Sequence, residues 1–140
     1  MTRQQKYPDT KTFHYYNANP HKRITGDCTI RAVCTGLNIP YYECLDELVR
    51  MSKESGYSVQ SKENMRRMLG ERFIGMNKQP RKPDNTKYTG KEFCKEIAEK
   101  GKRYIAHIGG NHIVAIVDQK VQDIWDSTDG CIGNYWEIEE

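Results

Sequence analysis

Cys28 follows Gly26 and Asp27 and opens a segment in which Ile30, Val33, Cys34 and Leu37 recur at spacings of three and four, the mark of one helical face. A cysteine at a helix start meets unpaired backbone amides and the positive end of the helix dipole, and both favour thiolate over thiol. Its own amide is available to a developing oxyanion, and Gly26 leaves room for a substrate backbone. His112 opens a run of β-type residues after Gly109, Gly110 and Asn111. If residues 118–120 form a loop and Val117 faces Val121, His112 lies opposite Asp126. Cross-strand partners have Cβ atoms about 4.5–5.5 Å apart, so a carboxylate there takes an imidazole N–H and fixes its tautomer. A slip of one residue brings Ser127 to that position instead. A nucleophilic thiol, a base and an acid that orients the base are the parts that acyl transfer requires.

The segments Gly26-Asp27-Cys28-Thr29-Ile30-Arg31-Ala32, His112-Ile113-Val114-Ala115-Ile116-Val117 and Asp123-Ile124-Trp125-Asp126 resemble the papain-like cysteine peptidases. The likeness is greatest to their compact bacterial and phage-type members, including the bacteriocin-processing branch. It implies a papain-like fold, a peptide or protein substrate and a catalytic triad in which Cys28 is the nucleophile, His112 the general base and later acid, and Asp126 the orienting residue. Such peptidases carry a Gln or Asn upstream of the cysteine to complete the oxyanion hole, at the place where this chain has Lys22. Asn19 is the expected substitute, with Asn17 next to it and turn formation beside Pro20 the competing role for both.

The same residue types serve other chemistry as well. Cys28, His112 and Asp126 are legitimate zinc ligands, but no Cys-x-x-Cys or His-x-x-x-His pair accompanies them, and neither metal nor organic cofactor is expected. His107, between Ala106 and Ile108, reads as a hydrogen-bonded core histidine, while His14 and His21 lie in polar segments. Cys34, Cys44, Cys94 and Cys131 read as small buried hydrophobes. Trp136 is expected in the core, and Trp125, adjacent to Asp126, is placed to shield the His–Asp pair from water.

Four helices and a sheet must position these groups. The spacing predicts helices over residues 28–37 and 40–55, a shorter one after Ser61 with Met65, Met68 and Leu69 inward, and one over 90–100 behind the capping box Thr89-Gly90-Lys91-Glu92. From Arg103 the period shortens to two, giving strands at 104–108, 112–117, 121–126 and 131–138 joined by turn-type sequences. Helices first and strands last predict an α+β domain, with N-terminal helices packed on a C-terminal antiparallel meander. Residues 1–12 are polar and aperiodic and read as a flexible arm, leaving residues 13–140 as one domain.

Composition agrees with that scale. The chain has 140 residues, 22 Lys and Arg against 19 Asp and Glu, and a mean hydropathy of −0.87, yet its nine Tyr, three Phe and two Trp are too many for a disordered chain. The longest aliphatic run, Ile113 to Val117, is far short of the roughly twenty residues of a membrane span. Five cysteines without regular spacing read as reduced thiols in a cytoplasm. Basic charge collects in the first three-quarters of the chain, notably at Lys78, Arg81, Lys82, Lys87 and Lys91. No recognisable module interleaves these cations with aromatic residues, so nucleic acid is not the expected partner. The alternative to a hydrolase is a non-catalytic interaction protein that keeps the papain-like scaffold and uses loop 78–91 or the segment Phe13-His14-Tyr15-Tyr16.

Overall fold

The computed structural model describes residues 1–72 and 76–139. In chain order the elements are α1 (Arg3–Lys6), β1 (Phe13–Tyr15), α2 (Cys28–Leu37), α3 (Tyr41–Ser55), α4 (Lys62–Glu71), β2 (Met76–Asn77), α5 (Gly90–Glu96), β3 (Arg103–Ile108), β4 (His112–Val117), β5 (Lys120–Asp123) and β6 (Ile132–Glu137). The architecture is α+β. Among the described residues no helix is long and apolar enough to cross a membrane.

Local chemistry sets the helix ends. Asn38 closes α2 in the left-handed region at φ 57°, and its N–H reaches the carbonyls of Cys34 and Thr35. Gly56 closes α3 at φ 81°, a conformation that costs glycine nothing. The Ser61 hydroxyl accepts from the Asn64 amide at the start of α4, and Thr89 and Glu92 form both halves of the capping box on α5. Helix α5 stops at Glu96, short of the expected Lys100, because the amides of Ile97 and Ala98 both turn to the Phe93 carbonyl.

Six strands form one sheet in the order β1-β5-β4-β3-β6-β2, antiparallel except for β1 against β5. The expected meander is therefore corrected in two respects. The chain after β5 crosses the end of the sheet through residues 124–131, so that β6 pairs with β3 rather than β5. The vacant side of β5 is taken by β1, with Tyr15 beside Asp123. The N-terminal residues expected as a flexible arm include the helical turn α1, from which Arg3 Nε donates to the Ile124 carbonyl at 2.6 Å.

Helices α2, α3 and α4 cover one face of the sheet. Ile30, Val33, Leu48, Met51, Met65, Met68 and Leu69 pack there with Ile105, Ile113 and Trp136. Burial of each such side chain contributes about 1.5–3 kcal/mol. Phe13, Phe93, Tyr104, Val114, Ile116 and Val121 fill the second cluster, on the opposite face. Gly36 brings α2 down onto β3, since a Cβ there would stand 2.4 Å from Cγ1 of Ile105. That close approach carries the N-terminus of α2, and Cys28 with it, to the end of the sheet where β4 begins.

Candidate active site

Cys28 is the first residue of α2 and His112 the first of β4. The structure brings them together: the half-buried Cys28 thiol faces the His112 imidazole and the backbone N–H of Ile113. Hydrogen bonding and charge from His112, helped by the Ile113 amide and Arg31, hold the thiol below its ordinary value against the opposing effect of burial. Burial disfavours an imidazolium, but Asp123 and Cys28 outweigh it and raise His112 to about 9. Both shifts run toward a thiolate beside an imidazolium.

The carboxylate on His112 is Asp123, not Asp126. His112 Nε2 and Asp123 Oδ2 are 2.5 Å apart, which leaves Nδ1 as the ring nitrogen for sulfur. The difference comes from the β4–β5 turn. Asp118 and Gln119 both take left-handed φ, 52° and 64°, so the hairpin has a two-residue turn of type I′ and Val117 pairs with Lys120. Extended by one residue, that register sets Asp123 beside Val114 and diagonal to His112. The turn lacks the usual glycine and is held from outside, by Gln119 Nε2 on the Ala98 carbonyl at 3.0 Å and by Asp118 Oδ1 on the Gly101 amide at 3.4 Å. Asp126 lies in the crossover, where its Oδ1 accepts from the Thr128 amide and hydroxyl at 2.9 and 2.5 Å. Trp125 packs beside His112, its ring 5.0 Å from the imidazole.

Behind these residues runs a buried line of alternating charge. Arg31, one turn along α2 from Cys28, gives Nε to Asp27 at 2.7 Å and Nη1 to Asp123 at 2.6 Å. Asp27, Arg31 and Asp123 are 4%, 7% and 1% exposed, so solvent screens none of them. Burial alone would raise the Asp27 carboxyl, but hydrogen bonds from Arg31, Asn19 and Tyr41 bring it below the usual carboxylate range. Sequence reasoning missed Arg31 and Tyr41. The i,i+4 spacing of Asp27 and Arg31 was a visible signal for one arm of the line.

Asn19 is held in the loop before α2 and turned to Asp27. Its Nδ2 donates to Asp27 at 3.0 Å while its Oδ1 accepts from the His21 amide at 2.9 Å, so it shapes the loop and braces Asp27. Lys22 donates its ammonium to the Asn17 carbonyl, and Asn17 Nδ2 donates to the Arg23 carbonyl. The amide at the helix terminus is instead Gln60, from the segment between α3 and α4. Its Oε1 accepts from the Thr29 and Ile30 amides at 3.2 and 3.4 Å, and its Nε2 donates to the Gly26 carbonyl at 2.6 Å. Gln60 thus brackets Cys28 from residues on both sides.

His107 is buried as expected but is not hydrogen-bonded: neither ring nitrogen has a partner among the described residues. Cys34, Cys44 and Cys94 are buried, and burial raises all three thiols, Cys94 to about 12. Cys131, expected inside, is exposed. Among the described residues no group of three or more His, Cys, Asp or Glu side chains is placed to hold a metal ion. Compared with protein-family models, curated proteins and solved structures, the chain matches none.

Proposed function

We propose that the chain is a cysteine hydrolase of papain-like fold that cleaves an amide bond in a peptide or protein through a thioester intermediate. The observation that carries the reading is the line Cys28, His112, Asp123, in which the thiol is lowered and the imidazole raised. The Cys28 thiolate attacks the scissile carbonyl and the C=O electron pair becomes an oxyanion beside the α2 terminus. Collapse expels the amine, which takes the proton from His112 and leaves an acyl–sulfur bond. Neutral His112 then removes a proton from water, hydroxide adds to the thioester, and collapse releases the carboxylic acid and restores the Cys28 thiolate beside protonated His112. Asp123 holds the ring through both halves, and Trp125 limits the access of water to that contact.

The alternative role for the basic loop has less to work with, because Lys82 is paired with Glu92 and Lys91 with Asp129. Alkylation tests the enzyme reading. In a Cys131→Ser chain, iodoacetamide should modify Cys28 at pH 6, with a profile whose midpoint lies below the free-thiol value of about 8.5. His112→Ala should move that midpoint upward, since the largest influence lowering the thiol is then gone. A wild-type profile rising only near pH 8.5 would exclude the mechanism.

The oxyanion has one donor in the Cys28 amide and, in this reading, a second in the remaining N–H of Gln60. Loss of such a donor typically costs about a hundred- to a thousandfold. Gln60→Ala should therefore slow acylation of Cys28 by a p-nitrophenyl ester on that scale and leave iodoacetamide alkylation nearly unchanged, because alkylation builds no oxyanion. Equal loss in both reactions would mean that Gln60 acts only by holding the helix terminus.

A further inference from the structure

Asp27 occupies the N-cap position of α2, where an aspartate ordinarily turns its carboxylate to the amides of the second and third helical residues. Here its side chain makes no capping bond. Gln60 Oε1 takes the Thr29 and Ile30 amides in its stead. The Asp27 carboxylate is buried with both oxygens engaged: Oδ1 accepts from Arg31 Nε at 2.7 Å, and Oδ2 accepts from Asn19 Nδ2 at 3.0 Å and from the Tyr41 hydroxyl at 2.8 Å. The loop before α2, α2 itself and the start of α3 converge to hold one carboxylate against one guanidinium.

Stability alone does not account for this, because a buried ion pair gains little over apolar residues of similar volume. The effect on the site is more direct. Arg31 gives Nη1 to Asp123 Oδ1, while Asp123 Oδ2 meets His112 Nε2, so one carboxylate serves both a guanidinium and an imidazole. Left to itself, the guanidinium would draw on the charge of Asp123 and weaken its hold on an imidazolium. Asp27 answers Arg31 from the other side, and that pair is neutral. The other charged groups about His112 are Cys28 on α2 and, in the crossover, Asp126 and Asp129, which line the same cavity. Asp126 is turned to Thr128 and Asp129 is paired with Lys91.

We propose that Asp27 is a positioning residue for the proposed reaction: it neutralises Arg31, so that Asp123 keeps its full charge for His112. The inference rests on the reading of Cys28 as nucleophile and His112 as base and acid. An imidazole raised to about 9 holds a proton for the departing amine near neutral pH, where an ordinary histidine is mostly neutral.

The test reads the ring itself, in a Cys28→Ala chain where no thiolate contributes. Signals of isotope-labelled histidine, assigned to His112 by their loss in His112→Gln, are followed by NMR from acidic to alkaline pH. Asp27→Asn keeps the shape of residue 27 and removes its charge. The His112 midpoint should then fall by about one unit, a tenfold loss of proton affinity, the order expected when one charge goes unanswered inside a fold. Adding Arg31→Met should return the midpoint to within about half a unit of the Cys28→Ala parent, because no net charge then stands behind Asp123. A role confined to packing predicts no recovery, since the second substitution removes further contacts. An unmoved midpoint in Asp27→Asn, or a fall that Arg31→Met does not reverse, would overturn the proposal. Should Asp27→Asn alone fail to fold, the double variant, which buries no unanswered cation, decides the matter: a midpoint about one unit or more from the parent overturns the proposal, and a parental midpoint supports it. The ring titrates without any reaction, so failure of Cys28 alkylation at pH 6 would remove the hydrolase reading and leave this result standing on its own.

Discussion

Asp123→Asn is expected to slow acylation of Cys28 by about a thousandfold, within the range that a correctly held general base supplies, whereas Asp126→Asn should change it by no more than a few-fold. The asymmetry follows from geometry. Asp123 Oδ2 lies 2.5 Å from His112 Nε2, while Asp126 spends its Oδ1 on the Thr128 amide and hydroxyl. An amide at position 123 presents either a neutral oxygen or an NH2 to the ring. The first stabilises the imidazolium less; the second demands the tautomer that puts the remaining proton toward sulfur. Nitrophenolate release and intact-protein mass measure acylation directly, and a denaturation midpoint taken alongside separates lost chemistry from lost folding. A large loss in Asp126→Asn with Asp123→Asn unimpaired would reverse the assignment.

Arg31→Met is expected to cost about 3–5 kcal/mol of folding stability, a large share of the roughly 5–15 kcal/mol that holds a domain of this kind together. Arg31 stands between two carboxylates that are themselves buried, and its removal leaves Asp27 without a cation and Asp123 with His112 alone. Removing all three charges together, as Asp27→Asn with Arg31→Met and Asp123→Asn, should recover much of the loss, because no uncompensated ion then remains inside. Urea denaturation of the parent, the single variant and the triple variant at neutral pH measures this. A single Arg31→Met variant within about 1 kcal/mol of the parent would mean that solvent reaches the line and screens it, contrary to the burial of all three groups.

The two experiments touch what sequence could and could not disclose. Helix α2 was legible to the residue, Cys28 to Leu37, because its apolar face and the stop at Asn38 are local properties. The same holds for the stop at Gly56, the cap at Ser61 and the box at Thr89. Asp123 was not legible as the partner of His112, because its register depends on a Asp118-Gln119 turn that has no glycine and is secured by contacts to Ala98 and Gly101. A three-residue loop was the natural reading of residues 118–120, and the resulting shift by one position brought Asp126 forward. The sheet order was hidden for a related reason: residues 121–126 read as a strand and 127–130 as a turn, whereas Gly109 holds the Cys131 carbonyl and Gly90 that of Gly130, drawing the chain across to β3. Gln60 escaped notice because nothing in the sequence near Cys28 points to an amide from beyond α3, and Asn19 stood closer.

The pairing of β1 with β5 has a consequence in time. Phe13 is made early and its partner Val121 late, and the same is true of Cys28 and His112. During synthesis α2, α3 and α4 can dock on one another first, since their contacts are close in sequence, whereas the sheet must wait for long chain closures. Until β4 and β5 have emerged, Cys28 has neither the imidazole nor the Ile113 amide that lower its thiol, and Arg31 has only Asp27. A nascent chain therefore carries an ordinary cysteine at the head of a helix. Reactivity arrives as one of the last events of folding, when the thiol is already enclosed by the fold that will control what reaches it.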